Sequence, residues 1–261
     1  MIYDLQKGSL LKRASAFLLD GILLVILATG FAFALSAIFQ YNKVSQQYSD
    51  GMDYYAAKYQ IDFDSVVSQE AYEALDEAQR ANYDKAIEAM NNDADLVHAL
   101  NTLVVMIVAI VSLAVFLAYA VIEYMFPMIF KNGQTVGKKV FGLGVMRTNG
   151  VKIGPVALFI RTFFGKYIVE TMIPVLIAMM LIFHAIGIMG STGLMGPLFV
   201  LGLFILEVVM VAVTKTNSML HDKLADCVVV DLESQKIFDD EQSMVEYKAN
   251  IAAQNAQKSV Y

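Results

Sequence analysis

A single cysteine, Cys227, stands in this chain of 261 residues, so no intramolecular disulfide can form and no cysteine-based zinc site can be assembled. Charge is scarce as well. Only 17% of the residues are Asp, Glu, Lys or Arg, against 57% hydrophobic residues and a mean hydropathy of +0.56, a balance too apolar for a soluble domain of this length. The formal charge of −6 excludes little by itself, because the charges are unevenly placed along the chain; nucleic acid is not an expected partner. Catalytic patterns are missing too: there is no His-Glu-x-x-His metal helix and no Gly-x-Ser-x-Gly nucleophile turn. Neither an enzyme, nor a metal centre, nor a cofactor is expected. The partner that the composition demands is a lipid bilayer.

A hydrocarbon core of about 30 Å needs roughly 20 mainly apolar residues to be crossed by a helix. Four runs meet this length. Residues 14–39 contain one charge, Asp20; residues 103–126 contain Glu123; residues 171–190 contain none; residues 194–213 contain Glu207. The expected fold is therefore an all-α polytopic membrane protein with four transmembrane helices. The first run is too long for the apolar core of a secretory signal and carries an acid, so it is read as a retained span. Orientation follows from the basic residues. Lys7, Lys12 and Arg13 precede the first run, seven Lys or Arg residues lie between Pro127 and Glu170, and Lys215 and Lys223 follow the fourth run. Residues 40–101 hold four basic residues against twelve acidic ones. This distribution predicts both termini in the cytoplasm and residues 40–101 outside.

The chain thus divides into a cytoplasmic start and first span (1–39), an extracytoplasmic helical insertion (40–101), a membrane region with three further spans (102–232) and an acidic cytoplasmic tail (233–261). In the insertion, Val66, Tyr72, Leu75, Tyr83, Ile87 and Met90 recur among polar residues at helical spacing and predict a helical hairpin. Asn92, Asp93 and Asp95 look like the capped start of a helix that continues into the second span. The acidic surface is read as a solvated cap. After the second span, two short apolar runs flank Asn149-Gly150 and predict a β-hairpin, residues 140–147 against 151–153. Residues 227–232 are a third strand candidate for the same small cytoplasmic sheet. Pro155 opens a helix in which Arg161 and Lys166 alternate with aromatic residues, expected to lie along the inner membrane interface.

Ionisable groups inside a membrane are costly and mark either function or structural pairing. Arg13 and Asp20 are seven residues apart, two helical turns, so they share a helix face with about 10 Å of rise between them. Glu123 and Glu207 fall toward the same end of their spans, and Arg161, His221 and Asp222 lie at that membrane edge. These seven residues are predicted to form one charged network, either a set of ion pairs that orients the helices or an ion or ligand pathway. His184, in the third run, is read as a packing residue. The segment Gly133-Gln134-Thr135-Val136-Gly137-Lys138 invites comparison with a phosphate loop, but the glycine spacing is wrong and Lys139 stands where Ser or Thr is needed.

Taken together, residues 11–20 (Leu-Lys-Arg-Ala-Ser-Ala-Phe-Leu-Leu-Asp), the segment beginning Gly133-Gln134-Thr135-Val136-Gly137-Lys138, and His221-Asp222-Lys223-Leu224-Ala225-Asp226 resemble the RDD family of bacterial membrane proteins. The resemblance identifies Arg13 as the family's arginine, with Asp20 and Asp222 as its two aspartates. It implies a bacterial plasma-membrane protein of a largely uncharacterised family in which transport, including cation/proton exchange, has been suggested. The insertion and the acidic tail lie outside that pattern, and Asp226 stands where a small residue is expected. Two functions follow as expectations: a small transporter moving a monovalent cation or proton through the acids, or a non-transporting scaffold that holds a membrane-protein partner through its insertion. With four helices, assembly as a homo-oligomer is expected.

Overall fold

The computed structural model describes residues 6–66, 68–186 and 195–258. Among the described residues, four helices are long and apolar enough to cross a membrane: α1 Leu10–Ile38, then, after the insertion, a helix at Ala94–Ile129, one at Pro155–Ala185 and one at Met195–Val213. The chain has an all-α polytopic membrane fold with a small two-stranded sheet. Ile22, Val25 and Ile26 of the first helix and Leu198, Ile205 and Val208 of the last point outward. Such an outer surface suits hydrocarbon as the solvent, with the backbone polar groups bonded inside each helix. The ends expected at Gly190 and Leu194, and the turn of residues 191–193, lie outside the described residues.

The insertion carries α2 (Tyr41–Tyr59), α3 (Gln69–Glu73) and α4 (Glu77–Asn91) before α5 (Ala94–Ile129) begins. Its caps account for its boundaries. Ser68 accepts from the Ala71 amide at the start of α3, and Asp76 accepts from the Gln79 amide at 2.7 Å at the start of α4. Asp93 accepts from the amides of Asp95 and Leu96, so it is the residue that caps α5, and Tyr55 of α2 donates to the same carboxylate at 3.0 Å. Two compact units emerge. One comprises residues 29–66, 68–114 and 179–186; the other comprises residues 6–28, 115–178 and 195–258.

The second of these units holds α6 (Val136–Val140), β1 (Leu143–Arg147), the first part of α7 (Pro155–Ala185), α8 (Met195–Val213), α9 (Leu220–Leu224), β2 (Cys227–Asp231) and α10 (Glu241–Lys258). The expected hairpin is corrected. The turn at Asn149-Gly150 forms, but Lys152 returns to β1 only through an isolated bridge to Met146. The partner of β1 is β2, antiparallel, with Leu143 opposite Asp231 and Arg147 opposite Cys227. The reason is burial on both faces. Leu143, Val145, Cys227 and Val229 pack with Ala16 of α1, whereas Met146, Val228 and Val230 pack with Ile237 on the other side. Residues 151–153 could not supply such a two-sided apolar run. The Gly8 amide donates to the Val229 carbonyl and the Asp231 amide to Gln6, so the start of the chain covers the free edge of β2. Asp226 ends α9 at φ 48, a left-handed position that aspartate tolerates.

The helix expected at the interface is also corrected. It is the beginning of α7, continuous with the third span, and its Arg161 and Lys166 are buried. Backbone bonding over Ala120–Met125 and Ile160–Met172 is π-helical, i→i+5 rather than i→i+4. Opposite this widened stretch lies α9. A Cβ placed on Gly165 would stand 2.5 Å from the Cβ of His221 and 2.7 Å from its Cα, whereas one on Gly21 would meet nothing within 4 Å. Gly165→Ala is therefore expected to cost about 1–3 kcal/mol through overpacking, and Gly21→Ala to be neutral or slightly stabilising. Thermal melts of both variants in detergent would check this; equal melting temperatures would contradict it.

Candidate functional site

Asp20, two turns into the charged part of α1, is held by the loop that follows the second span. Its Oδ2 accepts from the Thr135 hydroxyl at 2.5 Å and its Oδ1 from the Gly137 amide at 2.7 Å. Thr135 in turn caps α6, accepting from the Lys138 amide, and Gln134 donates to the Leu143 carbonyl at 2.7 Å. At Gly137 no side chain fits, because a Cβ would lie 2.9 Å from the Asp20 carboxyl carbon and against the Ala16 carbonyl. Gly133 adopts φ 62, and a Cβ there would stand 2.8 Å from Ile153. The six-residue segment is thus a receptor for an aspartate of the same chain, which explains its likeness to a phosphate loop and its different spacing.

Arg13 does not reach Asp20. Its Nη1 donates to the Asn217 carbonyl at 2.5 Å and its Nη2 stands 3.4 Å from Asp222 Oδ2. Sharing a helix face was correct, but about 10 Å of rise is too far for contact, and the carbonyls after α8 come closer. Asp222 is fully buried and takes Nε and Nη2 of Arg161 at 3.0 and 2.9 Å and His221 Nε2 at 3.2 Å. Burial opposes its charge, but His221, Arg161 and Arg13 outweigh burial and hold it well below the usual carboxylate range. Burial pushes the neighbouring Cys227 thiol up to about 12, so it stays protonated.

Glu123 is surrounded by three cations. Lys166 Nζ donates to its Oε1 at 2.5 Å, while Arg161 Nη1 and Lys138 Nζ stand 3.7 and 3.9 Å from its Oε2, too far to hydrogen-bond. Among the described residues, that buried Oε2 has no hydrogen-bond donor. The Glu123 carbonyl, whose α-helical donor four residues on would be Pro127, a residue without an N–H, accepts from the Thr162 hydroxyl at 2.8 Å. Burial, with the like charges of Lys166 and Arg161, pushes Lys138 down to about 8 against the pull of Glu123 and Asp20.

The widened helix explains how three residues of α7 meet this network. Arg161, Lys166 and Glu170 are five and four residues apart, and on an α-helix those nine residues make about 2.5 turns and set Glu170 opposite Arg161. With i→i+5 bonding, residues four or five apart stack on one face. Glu170 is the acid that sequence reading missed. Its Oε1 and Oε2 lie 2.8 Å from His221 Nδ1, and it also accepts from the His221 amide at 3.0 Å. Glu207 accepts from the Leu220 amide at 3.2 Å with both oxygens. His184 belongs to the other compact unit.

Two cavities, of about 300 and about 440 Å³, share Asp20, Glu123, Lys166 and His221 in their walls. The smaller is completed by Arg13, Lys138, Arg161 and the apolar Leu10, Phe17 and Val211; the larger by Tyr119, Glu170, Glu207 and the apolar Leu24, Leu203 and Phe204. The seven predicted network residues therefore converge, with Lys138, Lys166 and Glu170 added. A family model described as the RDD family matches residues 7–226. No curated protein and no solved structure matches the chain.

The buried Lys138 gives a pH signature. Below about 8 both folded and unfolded states hold its proton, and the cost of burying the ammonium is fully present. As pH rises from about 8 toward the ordinary 10.5, the unfolded chain binds more protons than the folded one, so stability rises. The melting temperature of wild type relative to Lys138→Met is expected to climb over that interval. A difference that stays flat would show that Lys138 titrates normally.

Proposed function

The chain belongs to the RDD family, and on that premise we propose that it is a small membrane transporter in which a monovalent cation enters the larger cavity in exchange for a proton. The observation that carries this reading is the composition of one wall: Asp20, Glu123, Glu170 and Glu207 face the same cavity, with Lys166 as its lysine and His221 beside them. Glu123 already faces Lys138, Arg161 and Lys166, and Asp20 faces Lys138. The negative potential left over falls on Glu170 and Glu207, with His221 beside Glu170, and is costly in apolar surroundings unless a cation or protons offset it. Glu123 Oε2, buried and lacking a donor, is an acceptor available to such an ion or to its water. Exchange, rather than one-way entry, follows from the same balance. A positive charge entering is matched by one leaving, and the site never carries a large uncompensated charge.

Asp20 serves here chiefly to seat the loop of residues 133–138, so Glu123 is the more direct probe. In liposomes with imposed sodium, potassium and proton gradients, wild type is expected to couple cation flux to proton flux. Glu123→Gln, which removes the charge but keeps the shape, is expected to lower coupled flux about tenfold or more, the effect of about 1.4 kcal/mol on a barrier. Equal fluxes in wild type, Glu123→Gln and Asp20→Asn would sink the transport reading.

We also propose the orientation that the basic residues favour, with both termini and the charged network at the cytoplasmic face and residues 40–101 outside. Protease added to intact cells should then cut within the insertion and spare the tail. Cleavage of the tail alone would reverse the assignment.

A further inference from the structure

Charge sorts the two cavities. In the smaller, Arg13, Lys138, Arg161 and Lys166 outnumber Asp20 and Glu123, so its walls have no negative excess to draw a cation. The larger sets Lys166 and His221 against Asp20, Glu123, Glu170 and Glu207. Within it Glu123 is met by Lys166 and Glu170 by His221, whereas the donor at Glu207 is the neutral Leu220 amide. Glu123 is 4% exposed, and its Oε2 has no donor among the described residues. This wall is short of positive charge.

The remaining walls do not suit a bare ion. α8 lines the cavity with Val200, Leu203 and Phe204, α7 with Pro174, and α1 with Phe17 and Leu24. These side chains supply none of the oxygens by which inorganic cations are held. Volume points the same way. A water takes up about 30 Å³ in the liquid, so an inorganic ion with its first waters leaves much of a cavity of about 440 Å³ against hydrocarbon. Organic ligands, by contrast, enter cavities of about 300 to 1,000 Å³ that are mostly apolar with a few placed polar groups. Phe17, Tyr119 and Phe204 add aromatic rings, which attract cations over their faces. Phe17 and Phe204 line the cavity yet are 65% and 66% exposed, so they mark its opening. Gly21 lines the same space, and a Cβ placed on it meets nothing within 4 Å. The chain leaves there a volume that it does not itself fill.

We propose that the larger cavity takes a monovalent organic cation, an ammonium or pyridinium that bears an apolar group, with its charge toward the carboxyl wall and its apolar part against α1 and α8. The apolar part is held because it leaves water for hydrocarbon walls, and the charge because the carboxyl wall lacks cations. A molecule with both is therefore favoured over one with either alone. The opening at Phe17 and Phe204 gives such a molecule an entry beside apolar helix surface. The inference rests on the exchange reading for the use of the cavity in transport; binding itself stands on the shape and lining of the cavity.

The test is equilibrium dialysis of radiolabelled benzyltrimethylammonium against the full chain in lipid nanodiscs, with uptake by empty nanodiscs subtracted. Wild type is expected to bind the probe saturably. Tetramethylammonium, which keeps the charge without the ring, should compete at least tenfold more weakly, and an excess of neopentylbenzene, which keeps the shape without the charge, should leave most of the probe bound. These comparisons need no variant to fold. Glu207→Gln should weaken binding about tenfold. Gly21→Leu, which adds a side chain where a Cβ meets nothing, should fold and abolish binding. No saturable binding in wild type overturns the proposal, as does competition by tetramethylammonium or neopentylbenzene at the strength of the probe, or binding that both variants leave unchanged. Sodium or potassium flux coupled to protons, without saturable binding of the probe, would remove this inference and leave the exchange reading standing. Saturable binding that both variants weaken, in a protein without proton-coupled flux, would do the reverse.

Discussion

Arg161 joins the two halves of the charged network, and the helices around it are arranged to let it do so. Its Nε and Nη2 bind Asp222, its Nη1 approaches Glu123, and the side chain is almost completely buried. A guanidinium so placed is tolerated only where carboxylates meet it in good geometry, and removing one partner from such a pair costs about 3–5 kcal/mol. Each neighbouring feature follows from that demand. Asp222 comes from a five-residue helix laid against Gly165, because any side chain there would hold His221 and Asp222 away. Glu123 comes from a π-helical turn of α5, and its carbonyl, with Pro127 four residues on, is taken up by Thr162, the residue next to Arg161.

The same geometry ties the membrane region to the sheet. Asp20 reaches across to the loop of residues 133–138, and that loop leads directly into β1 through α6. β1 in turn pairs with β2, which begins five residues after Asp222 and packs against Ala16, one helical turn before Asp20. Two aspartates distant in sequence are therefore anchored to one small body of structure, one through hydrogen bonds to a loop and the other through ion pairs. Glu170 and Glu207, which also face the larger cavity, are held by neither anchor: Glu170 pairs with His221, and Glu207 accepts from the Leu220 amide. Matched charges shape the bundle; the unmatched ones are where protons or cations have a reason to bind.

Much of this was legible along the chain, because hydropathy, charge and capping are local properties. Asp20, Glu123 and Glu207 stood out as acids within apolar runs, and the helix starting beside Asp93 and running into the second span was visible in its cap. Glu170 was hidden by its position at the edge of an apolar run, where an acid is unremarkable, and by the α-helical spacing assumed for α7. The spacing of Arg161, Lys166 and Glu170 makes sense only once the turn widens, and no local rule announces i→i+5 bonding. The sheet shows the same limit. Asn149-Gly150 made its turn, yet the strand beyond it lost to residues 227–231, whose apolar side chains could be buried on both faces.

What the sequence alone determined is thus the number of apolar helices, the presence of the charges within and beside them, and the cap at Asp93, since each depends on composition and spacing within one segment. The tertiary structure alone decided who pairs with whom. A buried carboxylate is satisfied by whichever donor or cation another element brings within about 3 to 4 Å, and that depends on helix rotation, on the widening of α7 and on the approach of α9. For this reason Arg13 and Asp20, visible together on one helix face, part company in the folded chain: one turns to Asp222, the other to Thr135 and Gly137.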